Sequence, residues 1–294
     1  MQFTLLFSQF LSGLTYGMIL FLVSSGLSLI FGVMNILNFA HATLWLIGAY
    51  FCYSFWSVMQ DFSFALWVAI PLAALACAAV GWVTEVVLIK RIYERELHEQ
   101  LLITYALALI FADLIKIVWG PTDRLIVRPP AIQKPVFIFG APLDSYFIFV
   151  ILTGFAVALG LWWFLKYTKY GHIVKAAVFS REMVSALGIP IPKIYTWVFT
   201  LGIFIAGLAG GVQSAIGSVT LGMDVAIIIQ AFCVVVIGGF GSLMGTLVGS
   251  LIVGELFSFA ILYWPDGAMV LIFIITALIL IIRPWGLFGT PLRA

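Results

Sequence analysis

The chain has 294 residues, of which 64% are hydrophobic and only 9% charged, with a mean hydropathy of +1.21. Soluble domains run near one quarter charged, so this composition excludes a water-soluble globular protein and points to a polytopic membrane protein. A formal net charge of +2 is too small to suggest nucleic acid or a polyanionic substrate as a partner.

In chain order, the N-terminal Met1-Gln2-Phe3-Thr4 lacks a basic n-region and an obvious cleavage site, so the first apolar passage reads as retained rather than as a signal peptide. There are nine such passages in all, at roughly 8–33, 39–58, 64–89, 99–119, 145–166, 194–217, 225–240, 246–264 and 267–282. Most reach the ~20 helical residues that cross a ~30 Å hydrocarbon core. The pattern predicts an all-α polytopic membrane protein of eight or nine transmembrane or re-entrant helices, some of them broken, in one domain over 1–294. The first passage is too long for one straight crossing and holds Gly13, Gly17, Gly26 and Gly32. It is expected to tilt, to break or to begin in the interface.

Between the first two passages stand Asn35, Asn38, His41 and Thr43. Two readings are open. One is a simple polar loop. The other is a break at membrane depth whose amides and imidazole line a passage, with His41 as a hydrogen-bonding wall residue or a proton relay. Glu85 is expected to pair near Lys90, and Asp113 with Lys116 at i,i+3 spacing. The proline-rich loop 120–144 reads as an ordered cover. In the loop 167–193, apolar residues at Val178, Phe179, Met183, Ala186 and Leu187 recur at helical spacing, and Gly188 and Pro190 end the run. This predicts one short amphipathic helix over 175–188. It either docks on a partner through Lys175, Phe179, Arg181, Glu182, Leu187 and Gly188 or lies on lipid headgroups.

Gly207, Gly210 and Gly211, like Gly245 and Gly249, are packing signals first. The seventh passage is short, about 24 Å at ~1.5 Å per residue. Its glycine turn, Gly238-Gly239-Phe240-Gly241-Ser242-Leu243-Met244-Gly245, is therefore expected below the membrane surface. Glu255 falls near the middle of the eighth passage, where an ionised carboxylate costs roughly 2.5–3.5 kcal/mol. An interhelix or intersubunit hydrogen bond, or contact with substrate, would account for it. Cys52, Cys77 and Cys233 lie in apolar segments without metal-type spacing and read as buried thiols.

Most Lys and Arg residues fall on one side of an alternating topology: Lys90, Arg91, Arg95, Lys166, Lys169, Lys175, Arg181, Lys193, Arg283 and Arg293. Lys116, Arg124, Arg128 and Lys134 fall on the other. The positive-inside rule then puts the C-terminus in the cytoplasm and the N-terminus outside. The sequence contains no G-x-x-x-x-G-K-[ST], H-E-x-x-H or G-x-S-x-G motif, so an ATPase or intramembrane enzyme is not indicated.

Several stretches, in this order, resemble one family. They are Asn38-Phe39-Ala40-His41 followed by Gly48-Ala49-Tyr50, Glu85 with Lys90-Arg91, and Lys175-Ala176 with Arg181-Glu182 and Ala186-Leu187-Gly188-Ile189. Ala206-Gly207-Leu208-Ala209-Gly210, Gly238-Gly239-Phe240-Gly241-Ser242 with Gly245, and Arg283-Pro284-Trp285-Gly286-Leu287-Phe288-Gly289 complete the set. Together they resemble the LivH-like branched-chain amino-acid ABC transporter permeases over nearly the whole chain.

The resemblance implies a bacterial inner-membrane importer subunit. It would pair with a second, homologous permease, two cytoplasmic ATPases and a periplasmic binding protein. ATP and Mg would be held by the ATPases, and this chain would carry no cofactor, metal or catalytic residue. The loop 167–193 would be the coupling element. Read from the residues themselves, the two breaks near 35–43 and 238–245 would place Asn35, Asn38, His41, Thr43, Gly238, Gly239, Gly241, Ser242 and Gly245 along the passage. Urea, short amides and aromatic carboxylates are substrates of the same family. Outside it, the alternative is an ion-coupled secondary transporter or channel.

Overall fold

The computed structural model describes residues 2–289 and is almost entirely helical. Helix α1 (Gln2–Met34) is followed by α2 (Ala40–Val58), α3 (Ala65–Val87), α4 (Leu97–Trp119) and α5 (Ser145–Tyr167). Next come α6 (Lys169–Phe179), α7 (Arg181–Ala186), α8 (Ile191–Gln213), α9 (Met223–Gly238), α10 (Leu243–Tyr263) and α11 (Ala268–Ile282). Among the described residues, seven helical segments are long and apolar enough to cross a membrane: α1, α3, α4, α5, α8, α10, and α11 together with the turn before it, Pro265–Ile282. Of the other long helices, α2 is buried over most of its length and α9 has 16 residues.

The core is built around α1 and α8. Helix α1 packs along α10, α8, α5 and α9, and α8 packs on α3 and α2. Helices α4 and α11 are peripheral and largely exposed. Small residues set the closest approaches. A Cβ on Gly48 would stand 2.6 Å from the Gly207 Cα, and one on Gly13 would stand 2.8 Å from the Glu255 Cδ. The first passage is therefore one unbroken helix of 33 residues. Its glycines serve as contact points for α8 and α10, which is why they do not break it.

The two ends of the bundle differ. One end, here the basic end, gathers the turn after α3, helices α6 and α7, the corner between α9 and α10, and the segment after α11. Arg181 reaches Met34 at this end, Tyr93 packs edge-on against Tyr195, and the Leu287 and Phe288 amides donate to the Ile237 and Gly238 carbonyls. Lys90, Arg91, Lys166, Lys169, Lys175, Arg181, Lys193 and Arg283 all lie on elements of this end. Arg293 lies outside the described residues.

The opposite end carries the loop 120–144. It is partly a strand pair, β1 (Pro135–Ile138) antiparallel to β2 (Ala141–Asp144), whose Phe139 packs on Phe7. Arg128 pins it: it pairs with Asp144, donates to the Ala215 and Ile216 carbonyls and lies over the Tyr146 ring.

Several sequence expectations need correction. The run 175–188 is not one helix: Ser180 is extended, its hydroxyl accepts from Met183 N–H, and it separates α6 from α7. Among the described residues Glu85 makes no salt bridge with Lys90, although the Lys90 charge acts on it; it is fully buried and accepts from the Tyr93 hydroxyl. Asp113 and Lys116 form no ion pair among the described residues. The three cysteines are buried and free, as expected.

Candidate functional site: a polar junction inside the bundle

Helix α1 ends because Asn35 adopts a left-handed conformation (φ 55°) while its N–H still donates to Phe31 O. Asn is among the few L-residues that tolerate this conformation at a helix C-terminus. Residues 35–39 then run back into the bundle. His41 Nε2–H donates to Val23 O at 3.0 Å, and Val23 lies about 16 Å up α1 from Met34 at ~1.5 Å per residue. Thr104 Oγ1, about 10 Å into α4, donates to the Leu37 carbonyl at 3.0 Å. Residues 35–43 thus return into the bundle, the placement that the second of the two open readings requires.

Helix α2 therefore starts inside the bundle. Its N-cap, Phe39, has no side-chain capping bond, and of the first-turn amides His41 N–H donates to Asn38 O; the helix start carries the positive end of its dipole there. Helix α9 starts after Gly222 (φ 88°), with Asp224 of its first turn buried and Val225 exposed. The two first turns meet where Thr43 Oγ1 donates to Asp224 Oδ2 at 2.6 Å, with both residues buried. Helix N-termini favour a carboxylate, and Asp224 stands in the first turn of α9. Phe39 packs on Phe232 of α9 and edge-on to Tyr105 of α4.

Asn38 and His41 are completely buried. Both Asn38 amide atoms and His41 Nδ1 have no hydrogen-bond partner among the described residues. Buried side-chain amides are rarely left so. His41 faces Val23 of α1, whereas Thr43, two residues further along α2, faces Asp224 of α9. Of the predicted pathway residues, Asn38, His41 and Thr43 are buried at and just before the start of α2, while Asn35 is exposed at the basic end.

Asp224 was missed by the sequence reading because the seventh passage was drawn from 225. The available signal was an acid placed directly after Gly222-Met223, in the first turn of an apolar run. The shortfall of that passage lies at this end. The glycine turn sits at the basic end, where Gly241 packs on Gly32.

The predicted glycines of that turn form a tight corner. Gly238 and Gly245 face each other through backbone atoms, Gly239 (φ 95°) lies against Gly286 and Gly289, and Gly245 N–H is already capped by Ser242 Oγ at 3.1 Å. This arrangement holds α9, α10 and the C-terminal segment together. Glu255 lies on the α1–α10 seam over Gly13. Neither of its carboxylate oxygens has a hydrogen-bond partner among the described residues, so the expected interhelix bond is not made.

The coupling candidates divide between two helices. Lys175 is on α6. Phe179 ends that helix, and its side chain lies outside the described residues. Arg181, Glu182, Met183 and Leu187 are exposed on or just after α7, and Gly188 (φ 77°) ends the turn. Arg181 also reaches inward: its Nη2 donates to Met34 O at 3.0 Å, and its guanidinium lies 5.6 Å from the Tyr195 ring centre. It thus caps α1 at the residue before the break.

One expected outcome follows locally. Thr104→Val should leave the Leu37 carbonyl without its hydroxyl partner, at a cost of about 1–3 kcal/mol. The melting temperature of the purified chain in detergent should fall, and Thr104→Ser should restore it.

Residues 9–282 match a family model described as "Branched-chain amino acid transport system / permease component". The chain is 25% identical to the high-affinity branched-chain amino acid transport system permease protein LivH of Salmonella typhimurium, over 99% of this chain and 97% of the relative. It is 26% identical to the corresponding permease protein BraD of Pseudomonas aeruginosa, over 96% and 95%. A probable LivH of Methanocaldococcus jannaschii is 27% identical over 93% and 90%. No solved structure matches the chain.

Proposed function

Because the chain belongs to the family of branched-chain amino acid transport system permease components, we propose that it is one wall of an amino-acid passage in an ABC importer. Separate ATPase subunits drive it, a binding protein delivers the solute, and a second permease completes the passage. The carrying observation is the bond from Arg181 on α7 to Met34 O. It ties an exposed helix at the basic end to the residue before the break that places Asn38 and His41 in the interior.

In this reading the basic end faces the cytoplasm, the N-terminus faces out and the C-terminus in, because most Lys and Arg residues lie at that end. An ATPase grips Glu182, Met183 and Leu187 on and after α7. Its movement shifts Arg181, and with it the end of α1 and the chain 35–39. The start of α2 then moves relative to α9 and opens or closes the junction. The junction suits a zwitterion: helix N-termini attract a carboxylate, and Asp224 attracts an ammonium group. This favours amino acids over urea or simple amides.

The test is uptake of radiolabelled leucine into vesicles holding the assembled importer. Asp224→Asn should cut uptake about tenfold, the loss of one charge-assisted hydrogen bond, with the variant still inserted and still bound to its ATPases. Uptake unchanged in both Asp224→Asn and Asn38→Leu would remove the junction from the passage.

A further inference from the structure

On the side of α1 away from α2, a cleft of about 250 Å³ lies between α1, α5, α6 and the start of α10. Its walls are apolar, with Leu29, Val33, Leu165 and Val178 among them. Its mouth carries Lys166 and Lys175, and its lining includes no acidic residue. The Lys166 ammonium is held 4.8 Å from the Trp162 ring centre and 5.3 Å from that of Tyr167. Such an arrangement suits the headgroup level of a membrane, where Trp and Tyr gather.

Two further features point to a polar ligand group. Helix α10, 21 residues long, begins at the cleft. Ser242 Oγ caps its Gly245 N–H, and the Leu243 and Met244 amides, in its first turn, have no intrahelical acceptor. Independently, Ser28 lines the cleft, is 2% exposed, and its hydroxyl has no hydrogen-bond partner among the described residues. It lies about 9 Å in from the Met34 end of α1, below the lysines.

We propose that this cleft binds one anionic phospholipid. Its phosphate lies against Lys166, Lys175 and the first amides of α10, its ester region reaches the Ser28 hydroxyl, and one acyl chain follows Leu29, Val33 and Val178. Charge selects the occupant. Two lysines without a neighbouring acid discriminate an anionic from a zwitterionic headgroup, and the apolar walls discriminate a lipid from a free anion. The site is separate from the α2–α9 junction and does not depend on the transport reading.

Native mass spectrometry of the purified full-length chain tests this after delipidation and incubation with dioleoylphosphatidylglycerol or dioleoylphosphatidylcholine. One phosphatidylglycerol should be retained in preference to phosphatidylcholine, by about fivefold for each lysine. Lys166→Gln with Lys175→Gln should abolish the preference, whereas Lys134→Gln at the opposite end should keep it. Val178→Trp, which fills the cleft and leaves both lysines, should lose the adduct. The proposal is overturned by equal retention of the two lipids, by a preference that survives the double Gln variant, by an adduct that survives Val178→Trp, or by millimolar inorganic phosphate displacing the lipid.

Discussion

Gly210→Leu is expected to prevent the chain from accumulating as a folded permease. Even a Cβ at this position would press on the Trp45 carbonyl and stand 2.8 Å from Ala49 N. These are backbone atoms of α2, so no side-chain rotation relieves the overlap. Overpacking a core typically costs 1–3 kcal/mol; a whole leucine driven between two helix backbones should cost at least about 3 kcal/mol.

The damage would spread beyond the contact, because α2 is held to α8 here and through Gly48 and Gly207, and α2 carries His41 and Thr43. Gly160 provides the control. A Cβ there would have nothing within 4 Å, and exchanging a helical glycine for alanine gains about 0.5–1 kcal/mol. Gly160→Ala should leave expression and elution in detergent unchanged, whereas Gly210→Leu should yield only aggregate. Size-exclusion chromatography of the two variants made side by side reads the difference.

The second large effect is expected at α7. Reversing both charges, Arg181→Glu with Glu182→Arg, should abolish substrate-stimulated ATP hydrolysis by the assembled importer while leaving membrane insertion intact. Arg181 does two things at once: it is exposed toward the outside of the bundle, and it caps α1 at Met34 O. A glutamate at 181 would place an anion beside the carbonyl end of a helix, where the macrodipole disfavours it. Arg181→Lys keeps the charge but loses the fork that reaches a carbonyl while stacking on Tyr195. It should retain ATPase binding and lose part of the coupling. Normal coupling in the double reversal would remove α7 from the transmission path.

The helices themselves were legible from hydropathy, because every apolar passage had to satisfy its own backbone. Gly207 and Gly210 were correctly read as packing positions, since small residues at such spacing permit close approach whatever the fold. Other features depended on tertiary context. The glycines of α1 resemble breakpoints until Glu255, Gly202 and Gly241 are seen opposite them. Ser180 splits the coupling helix through a local hydroxyl cap that apolar periodicity ignores.

The depth of residues 35–39 is set by Thr104 and Val23, which are distant in sequence, so a loop and a buried break looked alike. The pairing of Asp224 with Thr43 joins residues 181 positions apart. No local pattern encodes it, although the shortness of the seventh passage hinted that one of its ends lies inside.

The central claim is that this chain is a gate moved from its basic end by a separate motor. The most direct measurement is leucine accumulation in sealed vesicles, comparing the purified chain alone with the proposed complex of the chain with a second permease, ATPases and a binding protein. Accumulation against a gradient should appear only in the complete complex supplied with ATP and magnesium, and should vanish when ATP is replaced by a non-hydrolysable analogue. Uphill accumulation by the chain alone, driven by an imposed ion gradient, would contradict the account.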